Sequence, residues 1–217
     1  MRKSLGPKSV RQLLNRFGIA TILAGVGLSA LARPVTAEIV YTPANIIIGA
    51  NSSYNLDLDN DGVTDFTIST SYSTLVDSGF QESFGETPAS GNGAERTAHY
   101  PSPNRVAGGK QIGPSQTFYG GTLDLAVYGL YCGPVSGCEY NGGGNWFIRK
   151  CKWVGHVEVC TYKGGTGFLG LMFQINGETH YGWALLTVNL GPPGFVTLNG
   201  YAYETIPNMP INAGQTK

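Results

Sequence analysis

Asp57, Asp59, Asp61 and Asp65 stand at positions 1, 3, 5 and 9 of one short loop, with Gly62 at position 6. Carboxylates in this rhythm are hard oxygen donors, and the chemistry they point to is Ca²⁺ coordination. Without a cation the loop is unfavourable, because like charges ~6 Å apart repel by roughly 0.7 kcal/mol per pair even in water. Asp57, Asp59 and Asp61 are expected to give side-chain oxygens. Val63 offers its backbone carbonyl at position 7, and Asp65 an oxygen directly or through water. Gly62 permits the sharp turn. Ile68 falls at position 12, where an EF-hand needs a bidentate Glu, and no helical pattern flanks the loop. The loop is therefore not an EF-hand, and its expected role is structural.

No comparable pattern for catalysis exists. The chain contains no Gly-x-Ser-x-Gly elbow. Its three histidines, His99, His156 and His180, have no zinc-pair spacing. Glycoside hydrolysis needs two carboxylates across a cleft. Outside the Asp loop the acids stand singly: Asp77, Glu82, Glu86, Glu95, Asp124, Glu139, Glu158, Glu178 and Glu204, besides Glu38 at the start of the expected domain. No catalytic residue is assigned. Aromatic rings give the other hint, since apolar sugar faces pack on aromatic planes. Trp183 reads as core, whereas Trp146 and Trp153 flank the cysteine region and are the candidate stacking rings.

The elements that must position these residues begin after a leader. Arg2, Lys3, Lys8, Arg11 and Arg16 precede an apolar run from Phe17 to Ala32, then Pro34, Val35 and Ala37. This is the layout of a secretory signal peptide over residues 1–37, with 38–217 as one mature domain. The apolar run is shorter than the ~20 residues of a spanning helix, so no transmembrane segment is expected after cleavage. Residues 38–217 hold eight Lys and Arg against fourteen Asp and Glu, a net charge of −6. That balance argues against a nucleic-acid partner.

Sparse charge and 32 Gly in 217 residues suit a secreted all-β chain with tight turns. Strands are expected on both sides of the Asp loop, over Thr122 to Tyr131, over Phe168 to Val188 and from Phe195. Leu123, Leu125, Val127 and Tyr131 should share one face. Asn176-Gly177 predicts a type I′ hairpin that sets Phe173 against His180, Leu171 against Gly182 and Gly170 against Trp183. The glycines there leave room for the larger partner. Residues 77–116 read as long loops with room for one short helix, and Asn141 to Asn145 as a flexible turn. The expected architecture is an antiparallel two-sheet sandwich, with a jelly roll as its nearest variant.

Cys132, Cys138, Cys151 and Cys160 form an even set in an exported chain and read as disulfides. A two-residue Gly155-His156 turn places Cys151 opposite Cys160. Of the three connectivities four cysteines allow, this favours Cys151–Cys160, with Cys132–Cys138 closing a small loop; the alternative is a zinc site, which the spacings and export disfavour.

The DxDxDGxxD pattern resembles the Ca²⁺ loops of integrin-type β-propeller blades and other extracellular bacterial modules. That resemblance covers nine residues and implies the metal, not the propeller. The segments Asn176 to Trp183 and Gly200 to Asn208 resemble exported bacterial proteins of the PEP-CTERM-associated type, a resemblance that extends over about half of residues 38–217. It implies export and, where the sorting tail is present, association with extracellular polysaccharide or biofilm. This sequence shows no Pro-Glu-Pro before Lys217 and no apolar or basic tail, so a freely secreted or periplasmic form is expected. The function these readings favour is a Ca²⁺-stabilised surface or matrix protein with a structural or carbohydrate-binding role. The competing class is a secreted hydrolase acting on polysaccharide.

Overall fold

Asn176 (φ 53°) and Gly177 (φ 81°) make the two-residue turn that their sequence demands. The strands on either side, β12 (Thr166–Ile175) and β13 (Glu178–Asn189), form the centre of the fold. Their register sets Phe173 against His180, Leu171 against Gly182 and Gly170 against Trp183. In this computed structural model the described residues are 38–75, 79–97, 102–133 and 137–217. The chain divides into Met1–Thr36 and Ala37–Lys217, and every described residue lies in the second unit. The expected signal peptide, Asp77 and His99 lie outside the described residues.

The fold is an all-β antiparallel sandwich. One sheet takes β1 (Ile39–Ile48), β14 (Phe195–Glu204), β13, β12, β5 (Gly93–Glu95) and β7 (Phe118–Tyr119), in that order. The other takes β2 (Ser53–Leu56), β3 (Phe66–Thr74), β4 (Phe80–Pro88), β8 (Leu123–Gly133) and β9 (Gly137–Gly143). Two small pairs complete it: β6 (Gln111–Ile112) with β15 (Ile211–Asn212), and β10 (Phe147–Val154) with β11 (Val157–Gly164).

Alternation decides which side chains meet between the sheets. Leu169, Leu171 and Phe173 of β12 and Ala184, Leu186 and Val188 of β13 join Phe66, Ile68, Phe84 and Leu125 from the facing sheet in one core. Each fully buried Leu or Phe contributes roughly 1.5–3 kcal/mol. The opposite face of the first sheet is also covered. Tyr181 and Trp183 pack there with Ile112 and Ile211 of the β6–β15 pair. Apolar residues on both faces of β13 follow from this double cover.

Four expectations about local structure need correction. Residues 77–116 are not simply loop, because β4, β5 and β6 lie there and no helix occurs among the described residues. The inward positions of β4 are Phe80, Glu82, Phe84, Glu86 and Pro88, all buried, so two carboxylates interrupt its apolar alternation. Asn141 to Gly143 belong to β9, and the turn follows at Gly144 (φ 96°). The shared face expected on β8 breaks at a bulge: Phe84 pairs with Ala126 but Gly85 with Asp124, leaving Leu125 as the extra residue. Leu123 and Leu125 are buried, then parity flips to Ala126 and Tyr128, and Tyr131 is exposed. Finally, Gly170 makes room for a different neighbour than Trp183. A Cβ there would stand 2.6 Å from Glu95 Oε2.

Candidate metal loop and polar cleft

The Asp loop joins β2 to β3, which pair from Leu56–Phe66 outward. Backbone amides turn inward onto the carboxylates. Asp61 N donates to Asp57 Oδ1 at 3.2 Å and to Asp59 Oδ1 at 3.3 Å. Gly62 N donates to Asp57 Oδ2 at 2.8 Å, and Val63 N to Asp61 Oδ1 at 2.7 Å. Asn60 (φ 60°) and Gly62 (φ 89°) supply the left-handed conformations this curl requires. Carboxylate oxygens of Asp57, Asp59 and Asp61 consequently lie within 4.8 Å of one another. The Asp59 carboxyl is held above its ordinary range by burial first and by the Asp61 charge next. A bound divalent cation would reverse that electrostatic balance.

Asp65 is placed differently. It is buried, its Oδ2 accepts from Leu58 N at 2.8 Å, and its Oδ1 accepts from Asn92 Nδ2 at 3.2 Å. Burial pushes its carboxyl up to about 6. These bonds pin the loop to the sandwich, and each carboxylate oxygen keeps lone-pair capacity beyond its single partner. The structure therefore brings Asp57, Asp59 and Asp61 together and holds Asp65 as the pin. Val63 is exposed.

A second feature was not signalled by any motif. A cleft of about 690 Å³ is lined by residues that include Glu95, Asn104, Lys110, Gln111, Gln116 and Asn145. Glu95 is buried, and its Oε1 accepts from Asn104 Nδ2 at 3.1 Å. Its Oε2 is buried without a protein partner, and burial raises the carboxyl. Asn145 is oriented by donating from Nδ2 to the carbonyls of Ser102 (3.0 Å) and Pro103 (3.1 Å). Four amides and a carboxylate of this kind are scattered through the sequence at separations up to 50 residues, so only the folded chain unites them.

The aromatic and histidine candidates divide. Trp146 is completely buried in the main core, which removes it as a stacking ring. Flanking the cysteine region in sequence does not place it at the surface. Trp183 is core, and its Nε1 donates to Gln215 O at 3.2 Å. Trp153 is 70% exposed. His180 is buried beside Phe173, with Nδ1 2.9 Å from Glu204 O, and is a satisfied core histidine. His156 is exposed at the β10–β11 turn.

Cys132 bonds Cys138 and Cys151 bonds Cys160. Although Glu158 lies near the second pair, bonded sulfurs are not thiolate ligands, so no zinc site forms there.

No family model matches the chain, and no curated protein or solved structure matches it. No helix among the described residues is long and apolar enough to cross a membrane.

Proposed function

We propose that residues 38–217 are an exported, Ca²⁺-stabilised binding protein of the cell surface or extracellular matrix, and that the cleft takes a segment of polysaccharide. The observation that carries this reading is the cleft's lining. Amides of Asn104, Gln111, Gln116 and Asn145 present both donors and acceptors, the complement of sugar hydroxyls. Among the described residues lining the cleft, Glu95 is the sole carboxylate. Glycoside hydrolysis employs two, so the lining supports binding over the hydrolase reading. The Asp loop supports a folding role for Ca²⁺, because it closes the β2–β3 hairpin. The PEP-CTERM-type resemblance and the basic-apolar leader support export.

The test is retention of the oxidised 38–217 chain on immobilised bacterial and plant polysaccharides, in Ca²⁺ and in chelator. Retention on one polymer, weakened at least tenfold by Gln111→Ala with unchanged melting temperature, is expected. Retention on none, or retention indifferent to Gln111→Ala and Lys110→Ala, would reject the cleft as the site.

A further inference from the structure

The β10–β11 ribbon stands apart from both large sheets. Its base is held by an aromatic group: Phe147 and Tyr162 lie 5.7 Å apart and pack on Tyr128 and Tyr140 of the second sheet. Beyond that base the ribbon is stapled by Cys151–Cys160 and runs on to the Gly155-His156 turn. Three to four residues at ~3.3 Å each carry the tip about 10–13 Å past the staple.

Strand alternation and register sort its side chains. Ile148, Lys150, Lys152 and Val154 lie on one face with Val157, Val159, Thr161 and Lys163. Trp153, Arg149 and Glu158 lie on the other, and Arg149 pairs with Glu158 at 3.8 Å. The tip is apolar and in water: Trp153 is 70%, Val157 64% and Val154 55% exposed. Val154, Val157 and Val159 share one face and Trp153 caps the other side of the same tip, and exposed apolar surface of this kind marks an interaction surface.

Charge is distributed to match. Residues 147–164 hold four of the eight basic side chains found after residue 37, and a single acid, Glu158. A net cationic arm projects from a body that is otherwise acidic.

We propose that this ribbon docks the protein on an anionic lipid surface. The tip, with Val154 and Val157 on one face and Trp153 on the other, enters the headgroup–acyl boundary end-on, and Lys152 and Lys150, two and four residues behind Val154, lie against lipid phosphates. An indole belongs at that depth, with its ring in the apolar zone and its N–H wet. Aliphatic tips are what separates lipid from an anionic polysaccharide, which offers no hydrocarbon to receive a valine. A second copy is the less suitable occupant. Among the described residues outside the Asp loop and the ribbon itself, the exposed acids Glu38, Asp124, Glu139 and Glu178 stand singly and make no acidic face for these lysines.

Residues 38–217 contain every described strand and both core clusters, so this unit is the one to test. It is sedimented with vesicles of phosphatidylcholine containing one-third phosphatidylglycerol, and with pure phosphatidylcholine, at about 0.1 M salt. Binding to the anionic vesicles alone is expected. Each lysine near such a surface is worth about fivefold in partition, so Lys150→Gln with Lys152→Gln should weaken it about 25-fold. Val157→Asp should abolish it, and Lys217→Glu should leave it intact. Trp146 and Trp183 are buried, so a blue shift of emission on binding reports Trp153. Equal binding to neutral vesicles, no binding, or vesicle binding untouched by Val157→Asp would overturn the proposal. Stronger retention on alginate that survives Val157→Asp would assign the arm to a polymer instead. Concentration-dependent dimerisation lost in Val157→Asp would assign it to a second copy.

Discussion

Asn92 ties Asp65 to the opposite sheet. Its Nδ2 donates to Asp65 O and to Asp65 Oδ1, each at 3.2 Å, while its Oδ1 accepts from Gln174 N on β12 at 3.1 Å. One buried amide thus connects the loop between β2 and β3 with the centre of the six-stranded sheet. Asn92→Ala leaves Asp65 Oδ1 and Gln174 N without partners, while Asp65 O keeps its bond from Ala89 N, at about 1–3 kcal/mol for each group left unpaired. A melting temperature lower by roughly 5–15 °C is expected for a chain of this size. A change below about 2 °C would show that water replaces the tie.

The Asp loop should register as a calorimetric effect. At Ca²⁺ a hundredfold above its dissociation constant, binding adds about 2.7 kcal/mol of stability. That corresponds to roughly 5–10 °C in melting temperature. Asp59→Ala should erase the difference between Ca²⁺ and chelator. An Asp59→Ala protein that still gains stability from millimolar Ca²⁺ would place the ion elsewhere.

Glu86 gives a pH dependence with a defined sign. Both its oxygens are buried without partners, and burial pushes its carboxyl up to about 8. The neutral side chain is tolerated in the core and the ionised one is not. Its contribution is fully present below the ordinary Glu value of about 4.5 and is lost as pH rises through about 8. Glu86→Gln keeps the shape and removes the proton. The variant should melt several degrees above the parent at pH 8.5 and within about a degree of it at pH 4. Parallel curves across that range would show that Glu86 does not titrate in the fold.

Gly170 and Glu95 should be coupled. A Cβ at 170 would meet Glu95 Oε2 at 2.6 Å and Glu95 Cβ at 3.0 Å. Gly170→Ala alone should cost about 1–3 kcal/mol through overpacking. In a Glu95→Ala background most of that cost should vanish, giving a coupling above about 0.5 kcal/mol in a double-mutant cycle. Additive effects would mean that the strand yields elsewhere.

Where a turn dictates pairing, the sequence was a good guide. Asn176-Gly177 and Gly155-His156 fix their hairpins residue by residue, and the second fixes a disulfide with it. Where side-chain chemistry contradicts position, it was not. β4 escaped notice because Glu82 and Glu86 occupy inward sites that alternation reserves for apolar residues. β8 was read with a constant period, and one extra residue at Leu125 reversed it. Trp146 flanks the cysteine region in sequence, but its burial depends on what packs over it in the folded chain. The gathering of Asp57, Asp59 and Asp61 was legible because it is set by local spacing. The cleft was not, because Glu95, Gln111 and Asn145 meet only through tertiary structure.

The pairing of β1 with β14 has a bearing on the order of assembly. Ile39 lies opposite Glu204 and Ile48 opposite Val196, so the earliest described strand is the neighbour of nearly the last. Contacts this distant in sequence form late, after local hairpins have reduced the loop to be closed. The β12–β13 hairpin, with its two-residue turn, is the natural nucleus, and β14 adds to it next. Until β14 emerges, the apolar run at Ile46, Ile47 and Ile48 has no docking edge. A chain cut before Phe195 would leave that run unpaired and open to proteases and aggregation.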